Sequence, residues 1–163
     1  MLAEFPVAIW LLLVFLTIPM IDLATIALRS TFMINAVHEA AHHAARAKSF
    51  QTPVDQSEQS AQQSAQNVIS QYFQDFTGIA VQSVTLNIVT VSISNGTITR
   101  QNSPLAQQPD TNSNTYSLEV AVSATVDPLL TCPWMPAVPG LASPIPVTYA
   151  TQEFSEFPQG LTQ

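Results

Sequence analysis

The chain has 163 residues, of which 47% are apolar and only 9% charged, where an ordinary soluble domain carries about 25%. This length supports one modest domain, not two full ones, and the apolar content excludes a disordered chain. A net charge of −7 excludes the basic footprint of a nucleic-acid binder, and the single cysteine excludes an internal disulfide framework and an all-cysteine zinc knuckle.

The first element is the run Phe5–Ile21, 17 residues without a charge. At 1.5 Å per residue it covers about 25 Å, the short end of a transmembrane helix. A secretory signal peptide would have a basic n-region and a shorter apolar core. Here Glu4 is the only charge before the run, and Pro19-Met20-Ile21-Asp22 is a poor cleavage site, so the run reads as a retained membrane anchor. The stretch that follows, to Phe50, is alanine-rich and free of Gly and Pro, which favours continued helix. One helix is therefore expected from about residue 5 to 48, roughly 60 Å long. Pro6 is tolerated in its first turn, and Pro19 is expected to kink or loosen it.

Charge divides the chain at the same place. Residues 1–48 carry Arg29, Arg46 and Lys48 against Glu4, Asp22 and Glu39, a net of zero. Residues 49–163 carry Arg100 alone against Asp55, Glu58, Asp75, Asp110, Glu119, Asp127, Glu153 and Glu156, a net of −7. The expected division is a membrane-spanning helix over 1–50 and a soluble α+β domain over 51–163. The positive charges lie after the span, which by the positive-inside rule points the C-terminal part toward the cytoplasm. Only three are present, spread over 20 residues, so this is a weak counter-signal to export.

The soluble part begins with an amphipathic helix expected over 54–76, with Ala61, Ala65, Val68, Ile69, Tyr72, Phe73 and Phe76 on its apolar face. Asp55 is its expected N-cap, with Glu58 completing a capping box. Strand patterns follow. Val84, Leu86 and Ile88 alternate, then Val89, Val91 and Ile93 in the opposite phase, which suggests a bulge or bend near 88. Asn95-Gly96 predicts a type I′ hairpin returning through Thr97–Arg100. A polar loop spans 101–114, and Tyr116 to Val126 is the clearest strand. A proline-rich connection, Pro128 to Pro146, leads to a last strand at about Val147–Phe154. The expected fold is α+β: a long N-terminal transmembrane helix continuing as an exposed helix, a second amphipathic helix, and a small antiparallel sheet of three to four strands.

This order of features resembles type IV pilin-like proteins, and within them the TadE-type pseudopilins of tight-adherence (Flp) pilus systems. The resemblance is carried by Glu4-Phe5 and the apolar run, by Ile21-Asp22, and by the alanine-rich Ala40-Ala41 and Ala44-Ala45-Arg46-Ala47. At the other end it is carried by Leu118–Asp127, Pro139-Gly140-Leu141 and Val147–Thr151. It implies a non-enzymatic minor pilin or pseudopilin in a bacterial inner membrane, with a periplasmic or extracellular C-terminal domain. Its implied partners are the membrane, other pilin or pseudopilin subunits and the assembly machinery, in a homo-oligomer or filament. It implies assembly roles for Glu4, Phe5 and Asp22. Glu4 would pair with the N-terminal amine of a neighbouring subunit, because a charge in lipid needs a partner; the alternative is solvation by headgroups. Asp22, near the far interface, is expected to be headgroup-solvated. Only Met-Leu-Ala stands where the family carries a basic leader, which leaves open a start assigned too late, a trimmed chain or an unprocessed one.

His38-Glu39-Ala40-Ala41-His42 is a literal H-E-x-x-H on a predicted helix, the pattern of zinc proteases. A third ligand would have to come from His43 or Glu58, neither in a recognisable motif, and a helix leaving a membrane offers no walled pocket. His38, Glu39 and His42 are therefore read as helix surface or subunit contact and no metal is expected, with adventitious or structural metal binding and a membrane zinc hydrolase as the alternatives. There is no G-x-S-x-G, P-loop or G-x-G-x-x-G, so no catalytic residue and no cofactor is implied. Cys132 is read as structural, with intermolecular pairing as the alternative, and Trp134 as part of a rigid loop.

Overall fold

Between Glu4 and Ala45 there is no glycine, and Pro19 is the only proline beyond the first turn. The result is one helix, α1 (Glu4–Ala45), helical on both sides of Pro19. The computed structural model describes residues 4–55, 57–74, 76–130 and 138–163. Beyond α1 it contains α2 (Ala61–Gln74), β1 (Ile79–Ser92), β2 (Ile98–Gln101), β3 (Asn114–Val126), β4 (Ile145–Phe154) and a closing 3-10 turn at Pro158–Thr162. Among the described residues the strands form one antiparallel sheet in the order β2-β1-β3-β4. This is the α+β architecture expected of the sequence.

Both helices cover the same face of the sheet. Register pairs Ile88 with Leu118, Leu86 with Val120 and Val84 with Val122, and β4 continues the row with Tyr149 and Val147. Against this face lie Met33, Ala36, Val37, Ala40, Ala41 and Ala44 of α1 and Ala61, Ala65 and Ile69 of α2. Alanines at these positions let the backbone of α1 approach the sheet closely. Burying Leu118, Val120 and Val122 contributes about 1.5–3 kcal/mol each. The C-terminal half of α1 is thus the spine of the globular part, with residues before and after 50 sharing one core. Phe32 stacks on Phe76 at 4.3 Å and meets Tyr72 and Phe73 edge-on or tilted, closing the α1–α2 contact.

Four local expectations are corrected. α2 begins at Ala61, not 54, because Ala61 and Gln62 donate their N–H groups to the carbonyls of Ser49 and Phe50 (2.8 and 3.1 Å). The cap is Ser60, whose buried hydroxyl accepts from the Gln63 N–H at 3.3 Å, and not Asp55. Replacing Ser60 by alanine is expected to cost about 1 kcal/mol, and Asp55→Ala close to nothing; denaturant midpoints of the two variants check this. The phase shift in β1 lies between Val81 and Ser83, not near 88. A bulge there lets Ile79 face the core on one side of it and Val84 on the other, and Val89 occupies the opposite face from Ile88. Finally, the hairpin is wider than a two-residue type I′ turn. Ser92 N–H bonds the Thr97 carbonyl, Gly96 N–H bonds the Ser92 carbonyl, and Gly96 takes the left-handed φ of +68°.

The C-terminal segment also docks. The Gly160 and Gln163 carbonyls both accept from Phe50 N–H, the Leu161 carbonyl accepts from Leu105 N–H, and Glu156 N–H caps the Ala45 carbonyl at the end of α1. Leu161 is buried beneath them.

Candidate functional site

Among the described residues, the N-terminal end of α1, from Phe5 to Ile21, is left almost wholly uncovered by the rest of the chain. Phe5, Trp10, Leu12 and Met20 are each more than 60% exposed, and only 6% of the most apolar 18-residue window is buried. The core helix of a soluble protein would be covered, and this end of α1 is not. This helix is long and apolar enough to cross a membrane.

The expected site residues are distributed along it. Glu4 opens α1, and the carboxylate pairing expected of it lies outside the described side chains. Phe5 is exposed, in keeping with a lipid- or subunit-facing position. Asp22 lies about 27 Å further along, so the two carboxylates do not meet. Asp22 is not solvated by headgroups: it is fully buried, and its Oδ1 accepts the backbone N–H of Leu130 at 2.9 Å. Its Oδ2 has no hydrogen-bond partner among the described residues.

Two turns above Asp22, on the same helical face, lies Arg29. It is 9% exposed, and its guanidinium donates to the Asp127 carbonyl. Gly78, at φ +84°, makes room for it, since a Cβ there would overlap the guanidinium. Arg29 and Asp22 together hold the chain segment leaving β3: one bonds the carbonyl at its start, the other the N–H three residues on. The spacing matches, because seven helical residues rise about 10 Å and three extended ones reach about the same. This clamp fixes the globular part to α1 where the apolar run ends. Asp22→Ala leaves the Leu130 N–H unpaired and is expected to cost about 1–3 kcal/mol locally, a 5- to 150-fold loss of protection at the Leu130 amide in hydrogen exchange. Asp22→Asn, which keeps an acceptor oxygen, is expected to retain most of that protection.

Nothing in the sequence around Arg29, Gly78 or Leu130 marked them for this role. A positive-φ glycine and a lone arginine have many uses, and Leu130 acts through its backbone.

The H-E-x-x-H residues take separate partners. His38 Nδ1 lies 3.5 Å from Glu153 of β4, while Glu39 faces His43 at 3.6 Å, one turn along the helix. His42 is half-buried, its ring 6.5 Å from that of His43. Among the described residues no three His, Cys, Asp or Glu side chains come together as a metal-binding group. Cys132 and Trp134 lie outside the described residues. An open groove of about 450 Å³ runs between α2 and the bulged part of β1, lined by Gln66, Ile69, Ser70, Phe73, Gln82 and Val84. Its lining is amide, hydroxyl and hydrocarbon, suited to contact rather than to acid–base work.

All four Lys and Arg side chains are engaged: Arg29 in the clamp, Arg46 with Glu156 (3.3 Å), Lys48 with Glu58 (2.5 Å) and Arg100 with Glu119 (3.2 Å). The Glu58 hydrogen bond and charge hold the Lys48 ammonium above its usual pKa.

The chain matches no protein-family model, no curated protein and no solved structure.

Proposed function

We propose that this chain is a non-enzymatic, single-pass membrane protein of the TadE-like pseudopilin type, acting as a minor pilin or assembly factor of a tight-adherence pilus or related secretion system. The observation that carries the reading is α1 itself: one helix bare and apolar at its N-terminal end and forming the spine of an α+β head at the other. In this reading the helix lies in a bacterial inner membrane and the acidic head faces the periplasm or the exterior. The three cations after the span, the counter-signal to that orientation, are each taken up by a group of the head itself.

Assembly would proceed by exchange of lipid contacts for contacts with other helices. The alanines of the family-like stretch are unavailable for this, since Ala40, Ala41 and Ala44 are fully buried within the chain. Helix exchange would use residues 5–21, where Ala8 and Thr17 are the only small side chains. The same burial favours a second reading, a membrane-anchored binding module unconnected to pili, with the α2–β1 groove as its contact surface. Affinity purification of the tagged chain from its own membranes, with pilus counts in a deletion strain, separates the two. Recovery of pilus subunits and loss of pili support the first; neither effect removes it.

A further inference from the structure

We propose that Leu129 and Leu130, with Val138, enter the lipid boundary of the membrane that α1 crosses, so that the head rests on the bilayer. The proposal rests on the reading of Phe5–Ile21 as a span, and deepens it by naming a second membrane contact far away in sequence.

Height is the first argument. The 2.9 Å hydrogen bond from Leu130 N–H to Asp22 holds the connection beside the residue that directly follows the apolar run. Wherever Ile21 leaves the hydrocarbon, the Leu130 backbone is at that level. The far end of the connection is held there too: Gly140 has no room for a side chain between Ile26 and Ile145, and Ile26 is only about 6 Å above Asp22.

Exposure is the second. Leu129 is 52% exposed, Leu130 45% and Val138 43%. On α1, Leu23 beside Asp22 and Leu28 about 9 Å above it are also exposed, so apolar side chains stand bare at this level on the helix as well as on the head. Charge is the third. From Pro128 to Pro144, between β3 and β4, there is no Asp, Glu, Lys, Arg or His, although the soluble part as a whole is acidic. A water-facing connection of this length has no reason to avoid charge; a surface pressed on lipid does. With no cation in the segment, contact comes from apolar side chains alone and is independent of lipid charge.

The test uses the full chain, with Cys132→Ser, in vesicles of phosphatidylcholine and in vesicles of an equal mixture with phosphatidylglycerol. Single cysteines replace Leu129, Leu130, Leu13 and Asn95 in turn, and each carries a nitroxide label. Relaxation by oxygen, which partitions into lipid, is compared with relaxation by a water-soluble nickel chelate. The expected oxygen-to-nickel ratio at Leu129→Cys and Leu130→Cys is several-fold above that at Asn95→Cys, on the hairpin tip, and equal in the two vesicle types. A lipid-like ratio at Leu13→Cys with a water-like one at Leu129→Cys and Leu130→Cys overturns this proposal and leaves the span intact. A water-like ratio at Leu13→Cys overturns the span, and the proposal with it. Because Leu129 is half-exposed, its label is accommodated without repacking. An unchanged circular dichroism spectrum verifies the fold of each variant.

Discussion

Replacing Phe50 with alanine is expected to destabilise the globular part by about 3–5 kcal/mol. Phe50 heads the fully buried side chains, at 1% exposure, and stands where three segments meet. Its N–H is shared between the Gly160 and Gln163 carbonyls, and its carbonyl accepts from Gln62 at the start of α2. Truncation therefore leaves a cavity under the end of α1, the start of α2 and the C-terminal turn together, where no single segment can collapse to fill it. Domains of this size are stable by only about 5–15 kcal/mol, so the loss is a large share. Urea unfolding of the detergent-solubilised chain checks it: the midpoint should fall steeply with little change in slope. The helical signal of residues 5–21 should persist, since those residues draw nothing from the head. A midpoint shift equivalent to less than about 1 kcal/mol would show that the three segments are joined by their hydrogen bonds alone.

Leu13→Arg is expected to abolish membrane insertion. Leu13 lies at the middle of the apolar run and is 55% exposed, so the substitution disturbs no contact in the head. An arginine at the centre of a membrane helix costs about 2.5–3.5 kcal/mol on the insertion scale, a roughly 100-fold shift toward the uninserted form. A run of 17 residues has no spare length with which to slide the charge to an interface. Insertion measured in isolated membranes should fall to background for Leu13→Arg. Ile93→Arg, on the exposed hairpin, should insert like the parent. Equal insertion of both variants would mean that the helix is held at the membrane by something other than its own hydrocarbon.

How much of this was legible in the sequence depended on the range of the interaction that decides each feature. β3 was legible because every second residue from Tyr116 to Val126 is apolar or small, and its neighbours β1 and β4 do not alter that period. The apolar face of α2 was legible for the same reason, at helical spacing. Its start was not, because Asp55 and Ser60 are equal candidates by type, and the choice is made by the Ser49 and Phe50 carbonyls receiving the first N–H groups of the helix. The position of the β1 bulge was not, because Val89 and Val91 read as a change of phase, whereas they line the sheet's second face. At the candidate site, the apolar run announced a helix long and apolar enough to cross a membrane. The role of Asp22 was hidden because its partner is a backbone N–H 108 residues away. The alanines of α1 could have served a neighbouring subunit or the chain's own sheet, and only the packing decides for the sheet.

In the proposed function, residues 5–21 remain part of the working protein as a membrane helix continuous with the head. The intact mass of the protein extracted from its native membranes tests this directly. The expected result is a chain that begins no later than Phe5 and stays in the membrane pellet through alkaline carbonate washing. A mature chain that begins after Ile21 and is recovered in the soluble fraction would contradict it.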